Sequence, residues 1–79
     1  MKKIAYSKTA AKYLLRSPKA KAIRAAIQAF AAGEPVNAKA MKGTKGLIRI
    51  RIGNFRAIVE QDDETVTVLA IGPRGDVYK

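Results

Sequence analysis

The chain has 79 residues with no cysteine and no histidine, which excludes disulfide staples, the usual zinc sites and catalysis by a Cys or His nucleophile or base. Its length fits one small domain, residues 1–79, and its 48% hydrophobic content is that of a folded globule rather than a disordered tail. No apolar run approaches the ~18 residues of a membrane span and no secretory apolar segment opens the chain, so no membrane association and a cytoplasmic location are expected.

Charge is the first positive clue. Sixteen Lys and Arg against six Asp and Glu give a net +10. Residues 1–51 hold thirteen basic residues and one acid, Glu34, whereas residues 52–79 hold three basic and five acidic. So one-sided a field destabilises the compact state by self-repulsion and attracts polyanions. Nucleic acid is the leading partner, ahead of an acidic protein segment or an anionic membrane.

In chain order, Ile4 and Tyr6 alternate with polar neighbours and predict a first strand over 2–6. Ser7 is placed to cap a helix over 8–16, with Ala10/Leu14 and Ala11/Leu15 as i,i+4 pairs. Ser17-Pro18 reads as a second N-cap followed by proline at the first helical position. The second helix then runs to about Ala32 with Ala20, Ile23, Ile27 and Phe30 on one stripe. Gly33 stands at the expected C′ position and Pro35 prevents continuation. Lys19 and Lys21 fall in the first turn of this helix, where the macrodipole disfavours cations.

A basic connection, 34–46, carries Lys39, Lys42 and Lys45. Its Gly43-Thr44-Lys45-Gly46 lacks the spacing of a phosphate-binding loop. The hydrophobic period then changes to two. Residues 47–52 alternate strictly, Gly53-Asn54 is a hairpin dipeptide, and 55–59 resume the strand. Asp62-Asp63-Glu64 marks a solvated turn, 65–71 form a β-branched strand, and the tail from Gly72 reads as a turn with a terminal β-segment. The predicted fold is α+β in the order β-α-α-β-β-β, a helical hairpin on one face of a small antiparallel sheet.

A two-residue turn at Gly53-Asn54 sets Ile52 opposite Phe55, Ile50 opposite Ala57 and Ile48 opposite Val59, all on the face the helices must cover. Arg51 then lies opposite Arg56, and Arg49 opposite Ile58, on the other face. Like charges across a ladder are about 5 Å apart at Cβ and destabilising. A solvated strand face compensated by Glu60 would also explain an Ile-Arg alternation. Three arginines gathered by register in an acid-poor chain favour an anion site, and the planar guanidinium fork suits phosphate.

The stretch Met41-Lys42-Gly43 through Gly46-Leu47-Ile48-Arg49-Ile50-Arg51-Ile52-Gly53-Asn54-Phe55-Arg56-Ala57-Ile58 resembles the RelE/ParE toxin family. Ile71-Gly72-Pro73-Arg74-Gly75-Asp76-Val77-Tyr78 is similar to its C-terminal motif, and the likeness is nearer the RelE branch than the ParE branch. The resemblance covers 38–79 strongly, while the helical hairpin is compatible but generic. It implies a type II toxin, a ribosome-dependent messenger-RNA interferase without metal or other cofactor, neutralised by a RelB-like antitoxin with an acidic or amphipathic segment. It implies Arg49, Arg51, Arg56, Arg74 and Tyr78 as active residues, and Lys39, Lys42 and Lys45 of the basic connection are the expected RNA contacts beside them. The strand positions of Arg49 and Arg51 are often lysine in that family. Arginine stays protonated, so these two suit phosphate clamping rather than proton abstraction. A gyrase-inhibiting ParE-like toxin and a non-toxic nucleic-acid-binding module of the same fold are the rival readings.

Overall fold

In the computed structural model, which describes residues 1–41, 43 and 46–73, Ser7 ends the first strand and starts the first helix. The elements are β1 (Lys3–Tyr6), α1 (Lys8–Arg16), α2 (Ala20–Ala31), β2 (Ala38–Ala40), β3 (Leu47–Ile52), β4 (Phe55–Gln61) and β5 (Thr65–Pro73). Ser7 Oγ accepts from Ala10 N–H at 3.0 Å, satisfying one of the donors that a helix start leaves open. The α1 boundaries match the sequence expectation.

The second helix begins later than its Ser-Pro signal suggested. Ser17 Oγ accepts from Lys19 N–H at 3.1 Å and Ser17 O from Ala20 N–H at 3.3 Å. Ser17 and Pro18 therefore make a turn, and α2 starts at Ala20 with Lys19 as an N-cap that offers no side-chain hydrogen bond. Its end is better made. Gly33, at φ +80°, donates to Phe30 O at 3.1 Å, and Glu34 N–H donates to Ala29 O at 2.9 Å. Those two bonds are the Schellman pair, which needs the left-handed residue that glycine supplies.

The sheet order is β1-β5-β4-β3-β2. Its pairs are antiparallel except β1–β5, which is parallel because the helical hairpin carries the chain back across the sheet. Strand β2 was not expected: Ala38-Lys39-Ala40 has no β-branched or aromatic residue to announce it, and it is held by pairing with β3 at the sheet edge. Strand β5 also runs two residues further than expected, to Pro73, in a place where proline costs no ladder bond because the strand is ending.

Both helices cover one face. Ala10, Leu14, Ile23, Ile27 and Ala31 meet Ile50, Ala57, Val59, Val66, Val68 and Ile71, all buried, with Ile4, Tyr6, Phe30, Ile48, Ile52 and Phe55 packed around them. Each fully buried Ile or Val contributes roughly 1.5–3 kcal/mol. No helix among the described residues is long and apolar enough to cross a membrane.

Candidate functional site

The β3–β4 register is the one the Gly53-Asn54 turn dictates: Ile52↔Phe55, Arg51↔Arg56, Ile50↔Ala57, Arg49↔Ile58 and Ile48↔Val59. Gly53 takes φ +57° and no other residue of that turn is positive, the pattern of a type II′ turn whose twist suits a hairpin. Since Ile48, Ile50 and Ile52 point to the helices, Arg49, Arg51 and Arg56 occupy the face that neither helix covers.

Two cross-strand rows build that face. One runs Lys39, Arg49, Ile58, Ala70 from β2 to β5, and the other runs Arg51, Arg56, Gly72. Lys39 thereby joins the arginines through β2. The composition of the β5 end depends on an irregularity between Ile58 and Val59, where the β4–β5 register shifts by one residue at Leu69. Continued without the shift, the ladder that pairs Val59 with Val68 would place Ile71 beside Arg56 and Ala70 in the core. The bulge reverses this. Ile71 is buried with the core, and the small residues Ala70 and Gly72 lie beside Ile58 and Arg56.

Ser7 pins the bulge. Its N–H donates to Val68 O at 2.8 Å and its hydroxyl donates to Leu69 O at 2.7 Å, while the same oxygen caps α1. One side chain thus joins helix, edge strand and the irregular point of β5. Sequence reading missed this device, and the signal available was only a serine that already had a capping role.

Exposure grades across the arginines. Arg51 is exposed, Arg49 is half-buried, and Arg56 is half-buried with its Nε shielded from solvent. Ile58, on the same face, is 5% exposed although no helix lies over it. Ile58 lies between the arginine rows, directly opposite Arg49 and two positions from Arg56 on β4. The hydrogen bond from Arg51 N–H to Asn37 O at 2.8 Å ties the backbone of this row to the segment before β2. Glu60 lies on the same face opposite Leu47, two positions from Ile58, and neither Arg49 nor Arg51 forms an ion pair with it or with any other described residue.

Four residues singled out from the sequence, Lys42, Lys45, Arg74 and Tyr78, lie outside the described residues. Strand β5 brings the chain as far as Pro73, paired with Phe55, one position from the Arg56↔Gly72 pair. Tyr6 is on the opposite, helix-covered face, with Arg24 5.7 Å from its ring centroid. Burial pushes its phenol above the usual tyrosine value, with Arg24 pulling the other way, so it is unsuited to act as a base. Among the described residues no group of three acidic side chains could hold a metal ion.

A family model described as the ParE toxin of type II toxin-antitoxin systems matches residues 4–78. The chain belongs to that family, within the RelE/ParE toxins. The resemblance read from the hairpin and tail motifs is therefore borne out. Solved structures agree. The chain is 25% identical to a chain of the RelB–RelE antitoxin–toxin complex of Methanococcus jannaschii, covering 89% of each with a TM-score of 0.73. It is 27% identical to a chain of the RelBE2 complex of Mycobacterium tuberculosis, covering 92% of this chain and 98% of that one with a TM-score of 0.65. A chain of the Escherichia coli DinJ–YafQ toxin–antitoxin complex shares the fold, at 15% identity, 99% and 98% coverage and a TM-score of 0.79. No curated protein matches the sequence. The chain is a type II toxin with a helical hairpin on a mostly antiparallel sheet, as the expected β-α-α-β-β-β order implied.

Proposed function

We propose that this toxin is a messenger-RNA endonuclease whose reaction takes place on the arginine face. The observation that carries the reading is the Arg51↔Arg56 pair with Arg49 and Lys39 alongside, a register that concentrates positive charge away from the core. Directly opposed like charges destabilise a sheet, and a phosphate laid between them converts that repulsion into charge-assisted hydrogen bonding.

The chemistry is attack of a ribose 2′-OH on its own 3′ phosphate. The 2′-oxygen forms the new P–O bond and loses its proton, the P–O5′ bond breaks, and the 5′-oxygen gains a proton, leaving a cyclic phosphate and a free 5′-OH. Arg49 and Arg51 clamp phosphate oxygens, and Arg56, the most sheltered of the three, holds the scissile phosphate and stabilises the pentacoordinate charge. Arg74 neutralises or protonates the leaving oxygen. Tyr78 activates the 2′-OH or stacks on a base. Fixed positive charge without a strong base gives weak intrinsic catalysis, which suits a reaction that relies on the ribosome to orient the message.

RNA taken from cells expressing the toxin and mapped by primer extension tests the reading. Codon-positioned breaks in messenger RNA are expected. Intact messages accompanied by DNA damage would instead support a gyrase-directed toxin, the reading that the ParE description of the matching family model favours. Unimpaired growth on expression without an antitoxin would support a non-toxic nucleic-acid-binding module and contradict both toxin readings. A cognate antitoxin with an acidic or amphipathic segment is the proposed regulatory partner, because the toxin chains it resembles occur in complexes with antitoxins. Its affinity should fall as salt rises.

A further inference from the structure

We infer that Ser7 is a positioning residue for the arginine face. By fixing Leu69 as the bulged residue of β5, it keeps alanine and glycine, rather than leucine, beside Arg56, and so leaves the β5 side of that guanidinium to the substrate's backbone. The inference rests on the reading that a phosphate lies against Arg56.

Burial demands the bulge but does not choose its residue. The pairs Val59↔Val68 and Ala57↔Ile71 both belong to the core. Between them β4 has one residue, Ile58, and β5 has two, Leu69 and Ala70. Either of those two, as the extra residue, satisfies the core. Were Ala70 the extra one, Leu69 would stand opposite Ile58 on the arginine face, diagonally across from Arg56. Diagonal neighbours are about 7–8 Å apart, within reach of long side chains. Ser7 makes the choice. Its N–H donates to Val68 O at 2.8 Å and its hydroxyl to Leu69 O at 2.7 Å, so two successive carbonyls of β5 are tied to the residue that starts α1. Ala70 is then the residue that pairs with Ile58.

Gly72 supports the same account. Among the described residues positive φ is confined to Gly33, Gly43, Gly46 and Gly53, so the backbone at 72 does not require glycine. A glycine inside a strand weakens it and marks a bulge or a close approach, and the bulge lies at Leu69. Gly72 is paired with Arg56. A side chain at 72 would start about 5 Å from the Arg56 Cβ, where Arg56 Nε is already shielded from solvent, and would displace the guanidinium.

Three variants of the full-length toxin test this, with Arg56→Ala as the reference. Ser7→Thr keeps both the cap and the hydroxyl donor. Ser7→Asp keeps the cap on α1, but a carboxylate has no proton to give Leu69 O. Ala70→Leu leaves Ser7 alone and puts a leucine on the arginine face directly. Two quantities are read: the single-turnover rate of message cleavage on purified ribosomes at saturating toxin, and the Arg56 Nε–H resonance of the free toxin. Ser7→Thr should match the parent in both. Ser7→Asp and Ala70→Leu should cleave roughly ten- to a hundredfold more slowly, as expected for a misplaced charge donor, and both should shift the Arg56 signal. Neither change should slow Arg56→Ala further, because each acts through Arg56. An Arg56 signal left in place by Ser7→Asp would overturn the inference. So would a rate loss that adds to that of Arg56→Ala, which is the mark of a merely structural role. If Ser7→Asp fails to fold, parental cleavage by Ala70→Leu would overturn it instead. Parental cleavage by Arg56→Ala would count against the nuclease reading, and the Arg56 signal would still decide whether Ser7 positions that side chain.

Discussion

The two cationic faces of this toxin are built differently. On the sheet, a ladder register holds three guanidinium groups in adjacent rows, beside Ile58, Ala70 and Gly72. On the helices, lysines predominate, spaced by helical turns and surrounded by small side chains. Ladder pairing fixes the distance between charges to within a side-chain length, while helix surface residues keep long, rotatable stems in water. Charges on the sheet face are therefore held at fixed separations, whereas those on the helix face move independently.

The largest effect separating the faces is expected for Arg56→Ala, which should reduce cleavage roughly 100- to 1,000-fold, the usual cost of losing one preorganised charge donor. Growth on induction together with thermal melting checks this. Restored growth with the fold retained and a melting temperature no lower than the parent's is expected, because the repulsion with Arg51 is relieved, and full toxicity would contradict the role given to Arg56. Arg74→Ala should likewise abolish growth arrest with the fold intact. Next in size is Ser7→Ala. It removes both the α1 cap and the hydroxyl bond to the Leu69 carbonyl, and should destabilise the fold by about 1–2 kcal/mol in urea titration.

Much of the sheet face was legible in the sequence because a two-residue turn at Gly53-Asn54 leaves one register for Leu47 to Val59. The end of α2 was legible for a similar reason, since Gly33 followed by Pro35 leaves the chain little choice. The bulge at Leu69 was not. Residues 65–71 read as an unbroken β-branched strand, and the bond that holds the irregularity comes from Ser7, 62 positions away. For the same reason the sequence did not disclose that Gly72 and Ala70, rather than Ile71, lie beside the arginines. Strand β2 and the parallel β1–β5 pair were also decided by long-range pairing rather than by local preference.

Smaller effects sharpen the contrast. Arg51→Thr relieves the repulsion across from Arg56 and should raise stability by a few tenths to about 1 kcal/mol while weakening single-stranded RNA binding. Lys19→Asp, on the other face, should stabilise by a few tenths of a kcal/mol in calorimetry through the α2 dipole. For Arg51→Thr, calorimetry and RNA-binding anisotropy should move in opposite directions, and a loss of stability would contradict the view that its charge is kept for a ligand.

The smallest effect is at the acidic β4–β5 turn. Hydrogen bonds from Glu64 and Thr65 N–H, each 2.8 Å from Asp62 Oδ1, hold the Asp62 carboxyl below its ordinary value of 3.8. A depressed carboxyl stabilises the fold fully above its unfolded value, and that contribution disappears as pH falls through the folded one. The stability difference between the parent and Asp62→Asn should therefore shrink below about pH 3.8, and a difference that is constant with pH would show that the carboxylate charge is not involved.

The most direct measurement is a titration of the arginine Nε–H resonances with a short RNA made uncleavable by 2′-deoxy substitution. The account requires the Arg49, Arg51 and Arg56 signals to shift together and saturate at one affinity. If those three signals stay in place while RNA binds elsewhere on the toxin, the arginine face is not where the phosphate lies.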